Sequence, residues 1–89
     1  MYYVYRIRSR NHPDKTFLGT TQDVKRRLNL HNSGRVGKTR EYRPWRLVFY
    51  IAFSRKRRAQ EFLEYLQSPA GREFGRKRLW QRLEDNGAP

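Results

Sequence analysis

The side chains in this sequence that could do chemistry are few, and most are cationic. There is no cysteine, so disulfides and thiolate metal sites are excluded. The two histidines are the groups whose ordinary pKa lies near neutrality. His12 falls in Asn11-His12-Pro13-Asp14, where Asn, Pro and Asp each favour a turn, and it reads as a turn residue. His31 follows Arg27 by four positions, so on a helix the two share a face. Taken alone, an arginine there is usually solvated surface, and a histidine is as often a loop anchor as a proton carrier. The carboxylates look structural: Asp14 lies in the turn, Asp23 at a helix cap, and Glu84 and Asp85 near the end. No pair is placed to hold a hard cation through oxygen ligands.

Against 8 acids stand 21 bases, of which 16 are arginine, for a net charge of +13. Such a charge destabilises a small domain by self-repulsion unless a polyanion relieves it. Arginine suits bidentate phosphate contact and stacking on bases. Nucleic acid is the expected partner, ahead of a merely solvated basic surface.

These residues need a frame. A chain of 89 residues makes one domain and, when folded, buries about 65% of the surface its unfolded form exposes. Aromatics at 15% argue against disorder. No window approaches the ~18 apolar residues of a membrane span, and Met1-Tyr2-Tyr3-Val4-Tyr5 is not a signal-peptide pattern. A cytoplasmic setting is expected. Tyr3, Tyr5 and Ile7 alternate with Val4, Arg6 and Arg8, which predicts a strand. Thr16 to Gly19 predicts a second, forming a hairpin across the turn. A helix runs from about Asp23 to the stop at Asn32-Ser33-Gly34. Residues 33–44 form a basic loop carrying Arg35, Lys38, Arg40 and Arg43. Trp45 to Phe53 is the most apolar run and reads as a central strand covered on both faces. Ser54 is the expected cap of a helix whose buried stripe is Ala59, Phe62, Leu63 and Leu66. Ser68-Pro69 opens a last helix extending through Leu83. Asn86 to Pro89 is expected to fray. Trp45 and Trp80 read as packing residues. The order β-β-α-β-α-α implies an α/β domain, α+β in detail, over residues 1–85, with a small three-stranded sheet flanked by helices.

The two opening strands resemble the GIY-YIG nuclease superfamily, with Tyr3-Val4-Tyr5 and Phe17-Leu18-Gly19 at its name-giving motifs. The collinear segments TTQDVKRRLNLHNSG (from Thr20), Thr39-Arg40, Arg43-Pro44-Trp45 and AQEFLEYLQSPAGREF (from Ala59) extend the resemblance to its small single-domain branch, over about residues 2–79. It implies a GIY-YIG-like fold and hydrolysis of DNA phosphodiesters with one divalent metal, Mg²⁺ or Mn²⁺. The first-motif tyrosine is then Tyr5, the phosphate-binding helix arginine Arg27, and His31 the histidine one turn on. The second-motif tyrosine is replaced by Phe17, and the metal-binding glutamate by Leu63. Glu61 and Glu64 are displaced from the inward face and do not obviously replace it. Arg6, Arg35, Lys38, Arg40 and Arg43 are expected to contact nucleic acid. The expectation is an endonuclease-like protein of weakened activity. Its alternative is an inactive binding module of the same fold. A third is a subunit whose protein partner supplies the missing carboxylate.

Overall fold

The computed structural model describes residues 1–80. In chain order the elements are β1 (Tyr2–Ser9), β2 (Thr16–Thr21), α1 (Val24–Asn32), β3 (Trp45–Phe53), α2 (Lys56–Gln67) and α3 (Pro69–Gly75). A single 3-10 turn at Arg40–Tyr42 interrupts the basic loop, and a π-helical turn, Arg76–Trp80, follows α3. The expected α+β order is the observed one. Arg82, Leu83, the two terminal carboxylates and the frayed end lie outside the described residues.

The sheet is antiparallel with order β2-β1-β3. Alternation along β1 sends Val4 to one face and Tyr5 and Ile7 to the other, and all three are buried. Val4 meets Ala59 and Leu66 of α2 and Trp80 of the π turn. Tyr5 and Ile7 meet Trp45, with Phe17, Leu28, Tyr42 and Leu47 packed against them. The sheet is thus a wall between two apolar clusters, with α2 and α3 on the Val4 side and α1 on the Tyr5 side.

The apolar run Trp45–Phe53 is an edge strand rather than the central one. It feeds both clusters, but the expected cover on both faces is incomplete: Tyr50 and Ala52, toward its far end, are exposed. A bulge lets it feed both. Arg6 lies opposite Phe49 but Ile7 opposite Leu47, so Val48 is an extra residue and Leu47 and Phe49 face opposite sides. Hydropathy reports whether a strand's faces are covered. It carries no information about the neighbours to which its backbone is hydrogen-bonded.

Local chemistry accounts for the helix ends. Asp23 caps α1 by accepting the Arg26 N–H at 3.0 Å. Gly34 follows with φ +83°, a left-handed conformation that favours glycine after a helix. Ser68 accepts from the Gly71 N–H at 3.1 Å, with Pro69 at the first helical position. The expected Ser54 cap is absent. α2 begins one residue later, with Arg55 at the cap and no side-chain bond there.

Candidate active site and nucleic-acid face

The site is built on the Tyr5 side of the sheet. Tyr5 sits in the middle of β1, directly opposite Gly19 of β2. A Cβ added at Gly19 would lie 2.8 Å from the Tyr5 hydroxyl and 3.0 Å from the Phe17 ring. Only glycine lets the tyrosine lie flat across β2. The helical period of α1 then brings Arg27 and His31 over it.

The hydrogen bonds among these residues have a direction. The Tyr5 hydroxyl is 2.7 Å from His31 Nε2, and His31 Nδ1 is 2.7 Å from Thr39 Oγ1. Arg27 donates a hydrogen bond to the Tyr5 hydroxyl, which leaves the tyrosine's own proton for His31 Nε2; the imidazole proton is then assigned to Nδ1, facing Thr39. Trp45 Nε1 donates to the Thr39 carbonyl at 2.7 Å and fixes the far end of the chain. The result is a relay from β1 through α1 into the basic loop.

Its members are shut off from solvent. Tyr5 is 2% exposed, His31 0% and Thr39 1%. Burial pushes the Tyr5 phenol above its usual pKa, and the hydrogen bond and charge of Arg27 pull only partly the other way. Burial lowers the pKa of His31, and the Arg27 guanidinium lowers it further. The resting pair is a neutral phenol donating to a neutral imidazole. Phe17 closes one wall, its ring edge-on to His31 at 5.2 Å and 6.3 Å from Tyr5. Arg27 is half-buried, and its Nε is buried with no hydrogen-bond partner. A guanidinium beside a neutral relay is suited to an anion.

The structure therefore brings Tyr5, Phe17, Arg27 and His31 together. It adds Thr39, a relay member that sequence reasoning placed only in a loop. Arg35, Lys38, Arg40 and Arg43 are exposed on that same loop. Two of them fold it through main-chain contacts, Arg40 Nε to the Gly34 carbonyl at 3.1 Å and Arg43 Nε to the Arg40 carbonyl at 2.9 Å. Arg6 does not join them. Strand alternation puts it on the Val4 side, where its guanidinium lies 4.2 Å over the Trp80 ring. His12 packs edge-on to Tyr42 at 5.1 Å, as a turn anchor.

Leu63 packs against the Val4, Ala59 and Leu66 cluster. Glu61 is exposed and pairs with Arg57 and Arg58, both at 3.4 Å. Glu64 is exposed and accepts from Gln60 at 3.4 Å. Among the described residues no group of three or more His, Asp or Glu side chains is placed to hold a metal ion.

The GIY-YIG catalytic domain model matches residues 1–77. The chain belongs to the GIY-YIG family. It is also 48% identical over 44 residues to a UPF0213 protein of Streptococcus agalactiae serotype V, and to another of serotype III. These matches cover 48% of this chain and 50% of each relative, so the chain spans about half the length of the curated relatives it matches. The GIY-YIG assignment gives a nuclease-like family and suggests nucleic-acid binding. Among the described residues no helix is long and apolar enough to cross a membrane.

Proposed function

We propose that this GIY-YIG protein binds DNA through Arg27 and the cations of the 33–44 loop, and that it cleaves phosphodiesters weakly or not at all by itself. The observation that carries this reading is Leu63, packed in the apolar cluster where the family resemblance calls for a metal-holding glutamate. The residues present do not fit a resident Mg²⁺ or Mn²⁺. An apolar side chain cannot anchor a hard cation, and the nearest carboxylates on α2 are turned outward and engaged with Arg57, Arg58 and Gln60.

What the chain's own residues can do is bind. Arg27, half-buried on α1 against Tyr5 and His31, places a positive charge at the site for a phosphate. The relay holds the loop against α1 and β1, so its four cations are presented from a fixed frame. The raised pKa of Tyr5 keeps its proton in place at neutral pH, so it is a poor base in the resting state.

A second reading, hydrolysis with a carboxylate from a protein partner, is favoured by one feature. The relay points the Tyr5 proton at His31, the arrangement a tyrosine needs in order to be deprotonated. A supercoiled-plasmid nicking assay separates the two readings. The unmodified chain is expected to bind plasmid without nicking it in Mg²⁺ or Mn²⁺. Leu63→Glu combined with Phe17→Tyr is expected to raise nicking above background. Robust metal-dependent nicking by the unmodified chain, abolished by Arg27→Ala, would overturn the binding reading and make Glu61 and Glu64 the first metal ligands to test.

A further inference from the structure

The far half of β3 is an open edge of the sheet. In an antiparallel sheet a residue sends its N–H and C=O to the same neighbour, and successive residues alternate. The Ser9 N–H donates to the Lys15 carbonyl at 3.0 Å, on the β2 side. Ile7, Tyr5 and Tyr3 therefore bond to β2, whereas Arg6, Val4 and Tyr2 bond to β3. Opposite these last three stand Phe49, Ile51 and Phe53, whose main-chain groups face inward. The main-chain groups of Tyr50 and Ala52 then point away from the sheet. Among the described residues nothing is hydrogen-bonded to them.

The near end of the same strand is closed. Asn32 Oδ1 accepts the Trp45 N–H at 2.6 Å, and Asn32 Nδ2 donates to the Trp45 carbonyl at 3.0 Å. These are the two bonds a neighbouring strand would make. The bulge at Val48 then breaks the edge's regularity. Beyond it, Phe49–Phe53 carries neither of the usual edge guards, charge or proline. It spans about 16 Å, enough for an ordinary strand to pair with. On the Tyr5 face a depression of about 570 Å³, lined by Leu28, Leu47 and Tyr50, opens beside it. On the other face Phe49 and Ile51 are half-buried against the Val4 cluster. The surroundings are cationic. Lys25 lines the depression, and exposed Arg55 and Lys56 follow Phe53. Asp23, the one acid in the depression, is committed to capping α1.

We propose that the Phe49–Phe53 edge of β3 docks an extended segment of another protein, which joins the sheet as a fourth strand, apolar in its middle and with carboxylates at its ends. Main-chain bonds to Tyr50 and Ala52 supply the affinity, and the side chains beside them the selectivity. A second copy of this chain is a poor occupant. Each copy carries +13. Pairing β3 with itself about Tyr50 or Ile51 also sets Arg55 of one copy near Arg46 of the other, and like charges so placed are destabilising. Nucleic acid has no row of alternating amide donors and carbonyl acceptors to match the edge. The proposal uses none of the residues given to DNA binding.

The test is amide hydrogen exchange followed by NMR. The probe is a short blocked peptide of alternating valine and threonine with a glutamate pair at each end. In the free protein the Tyr50 and Ala52 amides are expected to exchange fast, and those of Phe49, Ile51 and Phe53 slowly. With peptide at ten times its dissociation constant, the Tyr50 and Ala52 amides should slow about ten-fold. The same peptide N-methylated at its central amides should not protect them. Ala52→Pro removes an outward donor that makes no bond to β1. It should weaken the peptide about five-fold and leave duplex DNA affinity unchanged, whereas Arg27→Ala should do the reverse. If the peptide leaves the two amides unprotected, or the methylated peptide protects them equally, the docking site falls, whatever Arg27→Ala does to DNA. If Arg27→Ala is silent on DNA while the peptide protects both amides, the edge stands and the DNA reading falls. Equal affinity for a peptide ending in lysines overturns the acidic partner. Protection that grows with protein concentration alone makes the occupant a second copy and overturns the assignment. Should Ala52→Pro misfold, the methylated peptide decides on the unmodified chain.

Discussion

Replacing Tyr5 by Phe removes one oxygen from the centre of the protein, and the structure sets the cost. The lost hydroxyl donates at 2.7 Å to His31 Nε2, which is buried and has no water to turn to. Leaving a buried acceptor unsatisfied costs about 1–3 kcal/mol. At about 4–8 °C per kcal/mol for a domain of this size, the melting temperature should fall by roughly 8–16 °C for a mid-range cost of about 2 kcal/mol. The same geometry makes a pH prediction. Because the folded pKa of His31 is lowered, the unfolded chain binds a proton near pH 6.5 that the folded chain refuses. Stability is therefore full above about 6.5 and declines as pH falls from there toward the lowered value, by at most about 1.4 kcal/mol per pH unit. His31→Gln should flatten that decline. The lowered carboxyl pKa of Glu73 acts in a more acidic window, below the ordinary carboxylate range, and does not overlap it. Thermal denaturation followed by circular dichroism between pH 5 and 8 measures both effects. A Tyr5→Phe protein that melts with the parent, or a parent whose stability is flat across this range, would refute the buried relay.

Binding to duplex DNA should weaken steeply with salt: if about 6 phosphates are neutralised, log K falls against log salt with a slope of about −5. Arg27→Ala should cost about 1–3 kcal/mol of DNA affinity in an anisotropy titration. Gly19→Ala drives a Cβ to 2.8 Å from the Tyr5 hydroxyl and should destabilise by about 1–3 kcal/mol, read in the same melts. Leu63→Glu should be less stable than the parent in EDTA and recover with Mn²⁺, because a ligand that binds only the folded state stabilises it.

Where a feature depends on near neighbours in the chain, it was legible. The β1 alternation, the Asp23 and Ser68 caps, the α2 stripe and the Arg27–His31 spacing all stand in the structure as read. What was not legible depends on pairing across the chain. The edge position of β3 follows from which strand β1 bonds to, which the run Trp45–Phe53 does not encode. Arg6 sits with basic neighbours in sequence, but a period of two sends it to the other face and onto Trp80. Thr39 enters the relay through the path of the 33–44 loop, for which no periodicity exists. Gly19 reads from sequence only as the end of the second strand and part of a motif, and its role appears only when Tyr5 lies across it.

The two positions that depart from the family resemblance depart in the same direction. Phe17 and Leu63 are both apolar and both pack, one against Tyr5 and His31, the other in the Val4 cluster. Each replaces a polar group that would have to be hydrated, or held by a partner, at the rim of the core. Such replacements strengthen the frame while removing reactive atoms. What is retained also favours the frame. Tyr5, His31 and Thr39 tie β1 and α1 to the loop that presents Arg35, Lys38, Arg40 and Arg43, and that tie does not require Tyr5 ever to release its proton. A loop ordered before binding costs less to immobilise on DNA. In a binding protein of this fold, the tyrosine–histidine pair is therefore under its own physical constraint, independent of hydrolysis.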